Sequence, residues 1–324
     1  MTPKHALVLV NLGTPASPAP RDVRRFLKLF LSDPRVVGIP RLLWLPILYG
    51  IILPLRSTRV ARLYQQIWWP EGSPLSVITQ RQTTKLAAEL ASEGASSLVR
   101  YAMVYGEPSL KSVVKELQQC GAEKIIVLPL YPQYCNATTG SVIDQINHLQ
   151  QQFGKQLPIT MIKEYYDEAL YITALANSIQ RHWRNKGKGE FLLFSFHGIP
   201  QALIDKGDPY YQQCLTTAKQ VALHLQLPAE SWQVTFQSRF GKAKWAKPYT
   251  DVVIQELAGK GVKTLDVITP AFASDCLETL EEIAVQNAEL FQHSGGKQLT
   301  LIPCLNDNDD HIALMKKLFE KNIS

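Results

Sequence analysis

The chain has 324 residues, of which 46% are hydrophobic and 19% are charged, so it is long enough for two compact domains or one large one and has an ordinary globular composition. Its 34 Lys and Arg residues against 28 Asp and Glu residues give a formal charge of +6, and these charges are scattered along the sequence. Nucleic-acid binding would need a basic face interleaved with exposed aromatic residues. Because the charges are scattered instead, no nucleic-acid partner is expected. A weaker interpretation of the net charge is attraction to anionic lipid or to an acidic substrate.

The cysteines and the first residues bear on the cellular compartment. The five cysteines are odd in number, widely spaced and without a CxxC pair, so reduced thiols are expected rather than disulfides or a zinc ribbon. The first five residues lead directly into a predicted strand, which is not the pattern of a signal peptide. We therefore expect a cytoplasmic protein.

Apolar runs rich in β-branched residues alternate with helical patterns along the whole chain. The predicted strands lie near Ala6–Val10, Leu98–Val104, Lys124–Leu130, Ile159–Lys163, Glu190–Phe196, Trp232–Phe236, Thr264–Thr269 and Gln298–Ile302. The predicted helices lie near Arg21–Leu31, Pro74–Ser92, Ser109–Cys120, Ser141–Gln151, Glu168–Asn185, Asp208–Leu225, Tyr249–Ala258, Asp275–Gln292 and Asp310–Lys321. This alternation favours parallel sheets that are covered by helices on both faces.

Four strands followed by four strands predict an α/β fold of two doubly wound, Rossmann-like domains, each with a four-stranded parallel sheet, and a cleft between them. The expected domains are residues 1–165 and 166–305, and residues 306–324 are expected to form a helix that packs back on the first domain. Neither half contains GxGxxG or GxxxxGK[ST], so no nucleotide is expected.

One segment departs from this alternation. Leu42–Leu55 is a run of 14 uncharged residues between Arg41 and Arg56. A helix of this length would reach only about 21 Å, short of the roughly 30 Å hydrocarbon core of a bilayer, and Pro46 and Pro54 are expected to break it further. Two interpretations remain open: a buried connection, or an apolar lip that touches membrane and an oily substrate.

Two neighbouring strand ends carry the residues that predict chemistry. The strand Glu190–Phe196 delivers His197 to its carboxyl end, where ligands bind in open α/β sheets, and Gly198 to Pro200 then turn the chain away. The strand ending at Thr269 precedes a helix that opens with acidic residues. A neutral imidazole accepts protons near neutral pH and ligates divalent metals, so the two strand ends predict a proton-and-metal site.

The acidic residues Asp275, Glu278 and Glu282 stand at i, i+3 and i+7, which predicts that they share one helical face. Aligned carboxylates can pass protons outward or guide a cation inward. Asp275 has a structural alternative, because acidic residues in the first turn also stabilise a helix by capping it.

Several of these stretches resemble the ferrochelatase family, whose enzymes insert ferrous iron into a porphyrin. The resemblance rests on Leu9–Pro15, Arg100-Tyr101, Tyr131–Tyr134, Ser195–Pro200, Gly207–Tyr210, Phe236–Arg239, Trp245 and Ser274–Leu280, in the family's order and over nearly the whole chain. It implies the class II chelatase form of the two-domain fold, and insertion of ferrous iron into protoporphyrin IX to give protohaem, the final step of haem biosynthesis.

The resemblance also implies roles for individual residues. His197 would be the proton acceptor and a metal contact, with Glu278 facing it as a metal and proton-path carboxylate, and Asp275 and Glu282 would continue that path. The implied porphyrin contacts are Leu12, Arg56, Arg100, Tyr131, Tyr134 and Trp245. The arginines would bind a propionate, although either could be a surface ion pair, and the three aromatic residues could equally belong to turns or to the core.

This sequence departs from the family at two positions. Some members have an acidic residue where this chain has Gln286, and some have histidine where it has Cys276. Some members also hold an iron–sulfur cluster through a cysteine-rich C-terminal extension; the last residues here show none, so no cluster and no tightly bound cofactor are expected, with ferrous iron acting as substrate.

The resemblance favours the apolar lip, and hence peripheral contact with the inner face of the cell membrane. The lip also favours protoporphyrin IX, since a substrate with four carboxylates would need more arginine near it. The alternatives are a coproporphyrin ferrochelatase, a cobalt chelatase of the same fold, and a non-catalytic haem or metal carrier with His197 as axial ligand.

Overall fold

A computed structural model of the chain describes residues 5–92, 97–153, 158–241 and 243–323. Its strands are β1 (His5–Asn11), β2 (Leu98–Met103), β3 (Lys124–Pro129), β4 (Ile159–Met161), β5 (Phe191–His197), β6 (Trp232–Gln237), β7 (Thr264–Ile268) and β8 (Gln298–Leu301). They form two four-stranded sheets in the orders β2-β1-β3-β4 and β6-β5-β7-β8, and every pairing is parallel. The predicted α/β fold class is confirmed.

The helices between the strands match the predicted alternation. They are α1 (Pro20–Leu31), α2 (Arg41–Ile47), α3 (Leu53–Ile67), α4 (Pro74–Ser92), α5 (Leu110–Gln119), α6 (Thr139–Phe153), α7 (Ala169–Lys186), α8 (Gln201–Asp205), α9 (Tyr210–His224), α10 (Thr250–Gly259), α11 (Leu277–Leu280), α12 (Ala288–His293) and α13 (Asp309–Ile323). Packing divides the chain into two compact units. The first unit comprises Met1–Tyr131, Cys135–Lys163 and Ile312–Ser324, and the second comprises Pro132–Tyr134 and Glu164–His311. The domain limits expected from the sequence stay a prediction.

The central strand of each sheet is buried nearly throughout. In β1 every residue from Ala6 to Asn11 is buried, and in β5 so is every residue from Leu192 to Phe196. In the first unit, residues of β1 and β3 share a core with apolar residues of α5 and α6, and in the second unit residues of β5 and β7 pack with α10 and α12. Burial on both faces explains why these strands read as continuous apolar runs rather than as alternating patterns.

The helix predicted over Asp275–Gln292 is divided in the structure. After α11 the backbone widens into a π-helical turn over Glu282–Asn287, and only then does α12 begin. The amide of Gln286 bonds the carbonyl of Glu281 at 3.0 Å, five residues back. The prediction of one regular helix is therefore wrong, because a π turn is wider than the 3.6-residue turn that the spacing assumed.

The apolar lip, Leu42–Leu55, is also helical rather than broken. It runs through α2, a π-helical turn over Leu48–Ile52 and the start of α3. Pro46 lies inside α2, and the helical backbone continues past it. Pro54 falls in the first turn of α3, where proline is tolerated. The expected breaks at the two prolines are thus wrong. In the described part of the chain, no helix has both the length and the apolar composition needed to cross a bilayer.

Candidate functional site

His197 is the last residue of β5, and its side chain is half-buried. The chain passes from β6 on one side of β5 to β7 on the other, so the carboxyl end of β5 lies at the topological switch point, where ligands bind in this class of sheet. The ring Nδ1 lies 2.7 Å from the carbonyl oxygen of Gly198. A carbonyl oxygen can only accept, so Nδ1 is a donor, and in the neutral form of the ring the lone pair that a base or metal ligand needs is on Nε2.

Gly198 lets the chain turn tightly after the histidine. Its amide donates to the carbonyl of Gln237 at 2.8 Å. A Cβ added at Gly198 would stand 2.7 Å from that carbonyl oxygen and 3.3 Å from Cε3 of Trp245. Any larger residue at this position would therefore push the backbone away from Gln237 and Trp245. The buried Trp245 donates from Nε1 to the carbonyl of Phe240 at 3.0 Å. Trp245, one of the predicted porphyrin contacts, therefore lies beside the carboxyl end of β5.

Glu282 is held by the residues that end β6. Ser238, with a left-handed φ of 64°, donates to its carboxylate from the amide at 2.7 Å and from Oγ at 2.5 Å. Gln237 donates from Nε2 to Oε2 of Glu282 at 3.2 Å and to the backbone carbonyl of Glu278 at 2.7 Å. Two residues of one strand end thus fix the position of the acidic segment.

The charges of His197, Glu278 and Glu282 interact. Burial raises the pKa of Glu282, although the Ser238 hydrogen bonds and the charge of His197 lower it, and Glu278 raises it further. Gln237 is the sheet partner of His197 and bonds both the Glu278 carbonyl and the Glu282 carboxylate, so the structure brings these three predicted residues together. No group of three or more His, Cys, Asp or Glu side chains within residues 5–92, 97–153, 158–241 and 243–323 could hold a metal ion.

Cys276 and Asp275 have different roles at the start of α11. The N-cap is Cys276, whose amide donates to Oγ1 of Thr279 as part of a capping box. The alternative that Asp275 caps the helix is therefore wrong, since Asp275 stands one residue too early. Burial raises the pKa of the Cys276 thiol, and the Glu278 carboxylate adds to this, so the thiol stays protonated and packs as a small residue.

Asp275 is buried, and its carboxylate points to the loop after β8. It accepts hydrogen bonds from the side chains of Asn306 and Thr279 and from the backbone amide of Cys304. It does not share a helical face with Glu278 and Glu282, because it precedes the helix. Glu278 and Glu282 thus share contacts with Gln237, whereas Asp275 bonds the loop after β8, and the acidic path stays a prediction.

Three further candidates lie at strand ends. Leu12 and Tyr131 belong to the first unit, follow β1 and β3, and are partly buried against its core. Gly13 after Leu12 has a φ of 105°, and a Cβ there would stand 1.9 Å from the carbonyl oxygen of Tyr105, so only glycine fits. Tyr134 belongs to the second unit, where its amide donates to Oε1 of Gln213 at 2.7 Å. Their porphyrin contacts stay predictions.

The two candidate arginines differ in their surroundings. Arg100 lies within β2 rather than at its end, and its Nε donates to Oε1 of Glu116 on α5 at 2.7 Å. This is the surface ion pair that the sequence left as the alternative, and the propionate contact of Arg100 stays a prediction. Arg56 is exposed on α3, directly after the apolar lip.

The apolar lip has an inward and an outward face. Leu48 is fully buried, and Trp44 and Ile52 pack with it against residues of α1. In contrast, Leu42, Leu43 and Leu55 are 91%, 65% and 72% exposed. Ile47, Tyr49 and Ile51 add to the exposed face. Exposed apolar surface of this kind is typical of a membrane or ligand contact. The interpretation as a buried connection describes the inward face, and the lip stays a prediction for the outward face.

Sequence reasoning did not select Gln237 and Ser238 as site residues. Both belong to a stretch, Phe236–Arg239, that entered only as part of the family resemblance. The signal that could have found them is positional, since polar residues at the end of β6 must lie beside the end of β5 in a parallel sheet.

Comparisons with known proteins show the family of the chain. The family model described as Ferrochelatase matches residues 4–323. A protein of Aeromonas hydrophila named "Ferrochelatase" is 50% identical, with 100% of each chain covered. "Ferrochelatase 1" of Shewanella oneidensis is 49% identical over 99% of this chain and 96% of its own, and a "Ferrochelatase" of Vibrio cholerae is 49% identical over 97% of each.

Solved structures support the fold alone. "SirB from Bacillus subtilis with Fe3+" superposes with a TM-score of 0.57 at 10% identity, covering 98% of this chain and 95% of that one. CbiX, titled the terminal enzyme for biosynthesis of siroheme in denitrifying bacteria, superposes with a TM-score of 0.51 at 12% identity, covering 99% and 100%. The predicted class II chelatase form of the fold is confirmed.

Proposed function

The chain belongs to the ferrochelatase family, and we propose that the porphyrin into which it inserts ferrous iron is protoporphyrin IX, with protohaem as the product. It is a metal chelatase of haem biosynthesis. The observation that carries the assignment of its site is the half-buried imidazole of His197, with Nδ1 held by Gly198 and Nε2 left as acceptor, beside Glu278 and Glu282.

The reaction sets the requirements for the site. A ferrous ion replaces the two pyrrole protons of the porphyrin, so the charges balance only when both protons leave. In the proposed mechanism Nε2 of His197 accepts the two pyrrole protons one after the other and passes each on to Glu282, which frees Nε2 again to contact the ion. General-base catalysis of this kind contributes about 10²–10⁴-fold in rate. The carboxylate of Glu278 stabilises the imidazolium that forms and meets the incoming ion.

Glu282 is proposed to carry protons away from the pair. Burial raises its pKa and therefore brings its carboxyl group closer to proton exchange near neutral pH. The incoming ferrous ion would find two protein ligands, His197 and Glu278, and would take the remaining ligands from the porphyrin nitrogens. Two protein ligands rather than a complete cage suit an ion that must be passed on rather than kept.

Leu12, Tyr131, Tyr134 and Trp245 are proposed to line the macrocycle, with Arg56 near a propionate. The choice of protoporphyrin is supported by the exposed face of the apolar lip, since this substrate carries apolar vinyl groups where a four-carboxylate porphyrin would need more cations. The same face is proposed to touch the inner surface of the cell membrane peripherally, with the protein otherwise in the cytoplasm.

An anaerobic assay tests the proposal. Purified protein is mixed with ferrous iron and an excess of either protoporphyrin IX or coproporphyrin, and the loss of porphyrin fluorescence is followed. The proposal expects many turnovers with protoporphyrin and fewer with coproporphyrin. Preference for coproporphyrin would overturn the substrate, and loss of only one equivalent per protein would indicate a carrier.

A further inference from the structure

Asp275 and Asn306 form a reciprocal pair of hydrogen bonds. Nδ2 of Asn306 donates to Oδ2 of Asp275 at 2.6 Å, and the amide of Asp275 donates to Oδ1 of Asn306 at 2.8 Å. Asp275 is only 5% exposed. The pair joins the loop before α11 to the loop after β8, which come from distant parts of the sequence.

Asn306 is itself held in place. Its φ of 47° lies in the left-handed region, which asparagine tolerates better than most residues. Its carbonyl accepts from Nδ1 of the buried His311 at 2.7 Å, and the amide of His311 donates to Oδ1 of Asn308 at 2.9 Å. One side of the pair is thus anchored to the start of α13.

The other residue of the pair, Asp275, is bonded to the first turn of α11. The hydroxyl of Thr279 donates to Oδ1 of Asp275 at 2.9 Å and accepts from the amide of Cys276 at 3.0 Å. These bonds fix the first turn of α11, in which Glu278 is the second residue. A shift of about 1 Å in a catalytic group costs on the order of 10²-fold in rate, so this first turn needs such support.

We propose that Asp275 is a positioning residue which, paired with Asn306, holds the first turn of α11 so that Glu278 faces His197. The proposal rests on the proposed function, since it concerns the same site. The Asp275 carboxylate already accepts three hydrogen bonds, from Asn306, Thr279 and Cys304. A carboxylate that shuttled protons would have to release these donors at each turnover, so its task is structural rather than that of a proton carrier.

Exchanging the two residues separates these roles. In Asp275→Asn two amide donors face each other, and in Asn306→Asp two carboxylates do. The double variant restores the pair with donor and acceptor reversed, since the amide introduced at position 275 can donate to the carboxylate introduced at position 306 and can still accept from Thr279. Asn308→Asp makes the same change two residues away and keeps the acceptor for His311, so it is the matched control.

Steady-state kinetics of these proteins give the decisive result. We expect each single variant to lose at least about tenfold in kcat with little change in the KM for porphyrin, and the double variant to recover to within about threefold of wild type. Asn308→Asp should match wild type. A folded double variant as slow as Asp275→Asn, or a fully active Asp275→Asn, would overturn the proposal.

Two further measurements keep the test independent of folding failures and of the proposed function. Asn306→Ala leaves the Asp275 carboxylate in place, so a proton carrier predicts full activity and a positioning pair predicts a fall in kcat. The free energies of unfolding of the four proteins in the exchange give the coupling between the two side chains without any turnover. If the wild type inserts no iron but the two side chains are strongly coupled, the proposed function is rejected and the Asp275–Asn306 pair stands. If the free energies of unfolding show no coupling, the pair itself is rejected.

Discussion

His197 and Gln237 are partners in the last rung of the β5–β6 ladder, and the side chain of Gln237 connects the histidine's strand to the acidic segment. Its Nε2 donates to the carbonyl of Glu278 and to the carboxylate of Glu282, while its Oε1 accepts from Ser195 at 2.7 Å. One buried amide therefore ties the strand that carries His197 to the segment that carries Glu278 and Glu282.

Replacing this amide should affect both activity and stability. Gln237→Met keeps the length of the side chain but removes the hydrogen-bond donor to the Glu278 carbonyl and to the Glu282 carboxylate, at about 1–3 kcal/mol per buried group, whereas the Ser195 hydroxyl keeps Thr250 as a partner. We expect a lower melting temperature and a lower kcat, measured by calorimetry and by iron insertion. Gln118→Met, on the exposed surface of α5, is the control and should change neither. An unchanged kcat in Gln237→Met would contradict the positioning role.

His197→Ala should abolish most of the insertion activity while the fold is kept. The variant loses the proposed base, which contributes about 10²–10⁴-fold in rate, and also a metal contact. Turnover is measured beside the circular dichroism spectrum. His224→Ala, at the exposed end of α9, should behave as wild type. A folded His197→Ala protein with more than about a tenth of wild-type turnover would refute the assignment.

Glu278→Gln should reduce turnover strongly and leave porphyrin binding intact. The amide keeps the shape of the side chain but loses its charge and most of its ability to accept a proton. Glu282→Gln should be milder, because Gln can still accept from Ser238. Turnover and fluorescence-based porphyrin binding distinguish the two effects. Equal, nearly wild-type turnover in both variants would mean that this acidic segment has no catalytic role.

The two faces of the apolar lip predict opposite results. Replacing the exposed Leu42, Leu43 and Leu55 with serine should weaken binding to anionic liposomes and raise the KM for protoporphyrin, with an unchanged melting temperature. Replacing the inward Trp44, Leu48 and Ile52 should lower the melting temperature instead, because these side chains pack against α1. Co-sedimentation and calorimetry measure both. Unaltered liposome binding in the outward variant would reject membrane contact.

His311 should make stability depend on pH. Burial lowers its pKa from 6.5 to about 4, against smaller opposing effects of the Asn306 carbonyl and Asp307. Between these values the unfolded chain binds the proton and the folded chain does not, so stability is complete above about pH 6.5 and falls as the pH drops toward 4.

Urea unfolding at pH 7 and pH 5 measures this effect. From the two pKa values, wild type should lose about 2 kcal/mol more over this interval than His311→Gln, which cannot take up the proton. Equal losses in the two proteins would show that His311 is protonated in the folded state as readily as in the unfolded one.

The sequence predicted the strands well because each is a buried, β-branched run of the length that a parallel strand needs, as in β1 and β5. It also selected His197, since a histidine after such a run has to lie at the ligand-binding edge. It failed over the acidic segment and the lip, where π-helical turns change the spacing on which a 3.6-residue period depends. The Asp275–Asn306 pair was equally out of reach, because it joins loops 31 residues apart that no local pattern relates.

The shared strand order of the two sheets has a consequence in terms of symmetry. In each half the first strand lies second in its sheet and ends at a polar residue, Asn11 in β1 and His197 in β5, in register with the last residue of the neighbouring strand. Asn11 is buried and its Nδ2 donates to Oγ1 of Thr79 at 3.0 Å, whereas the ring of His197 remains half-exposed. The same architectural position thus occurs twice in one chain, filled in the first half by a buried asparagine that bonds a helix and in the second half by a histidine that stays partly exposed.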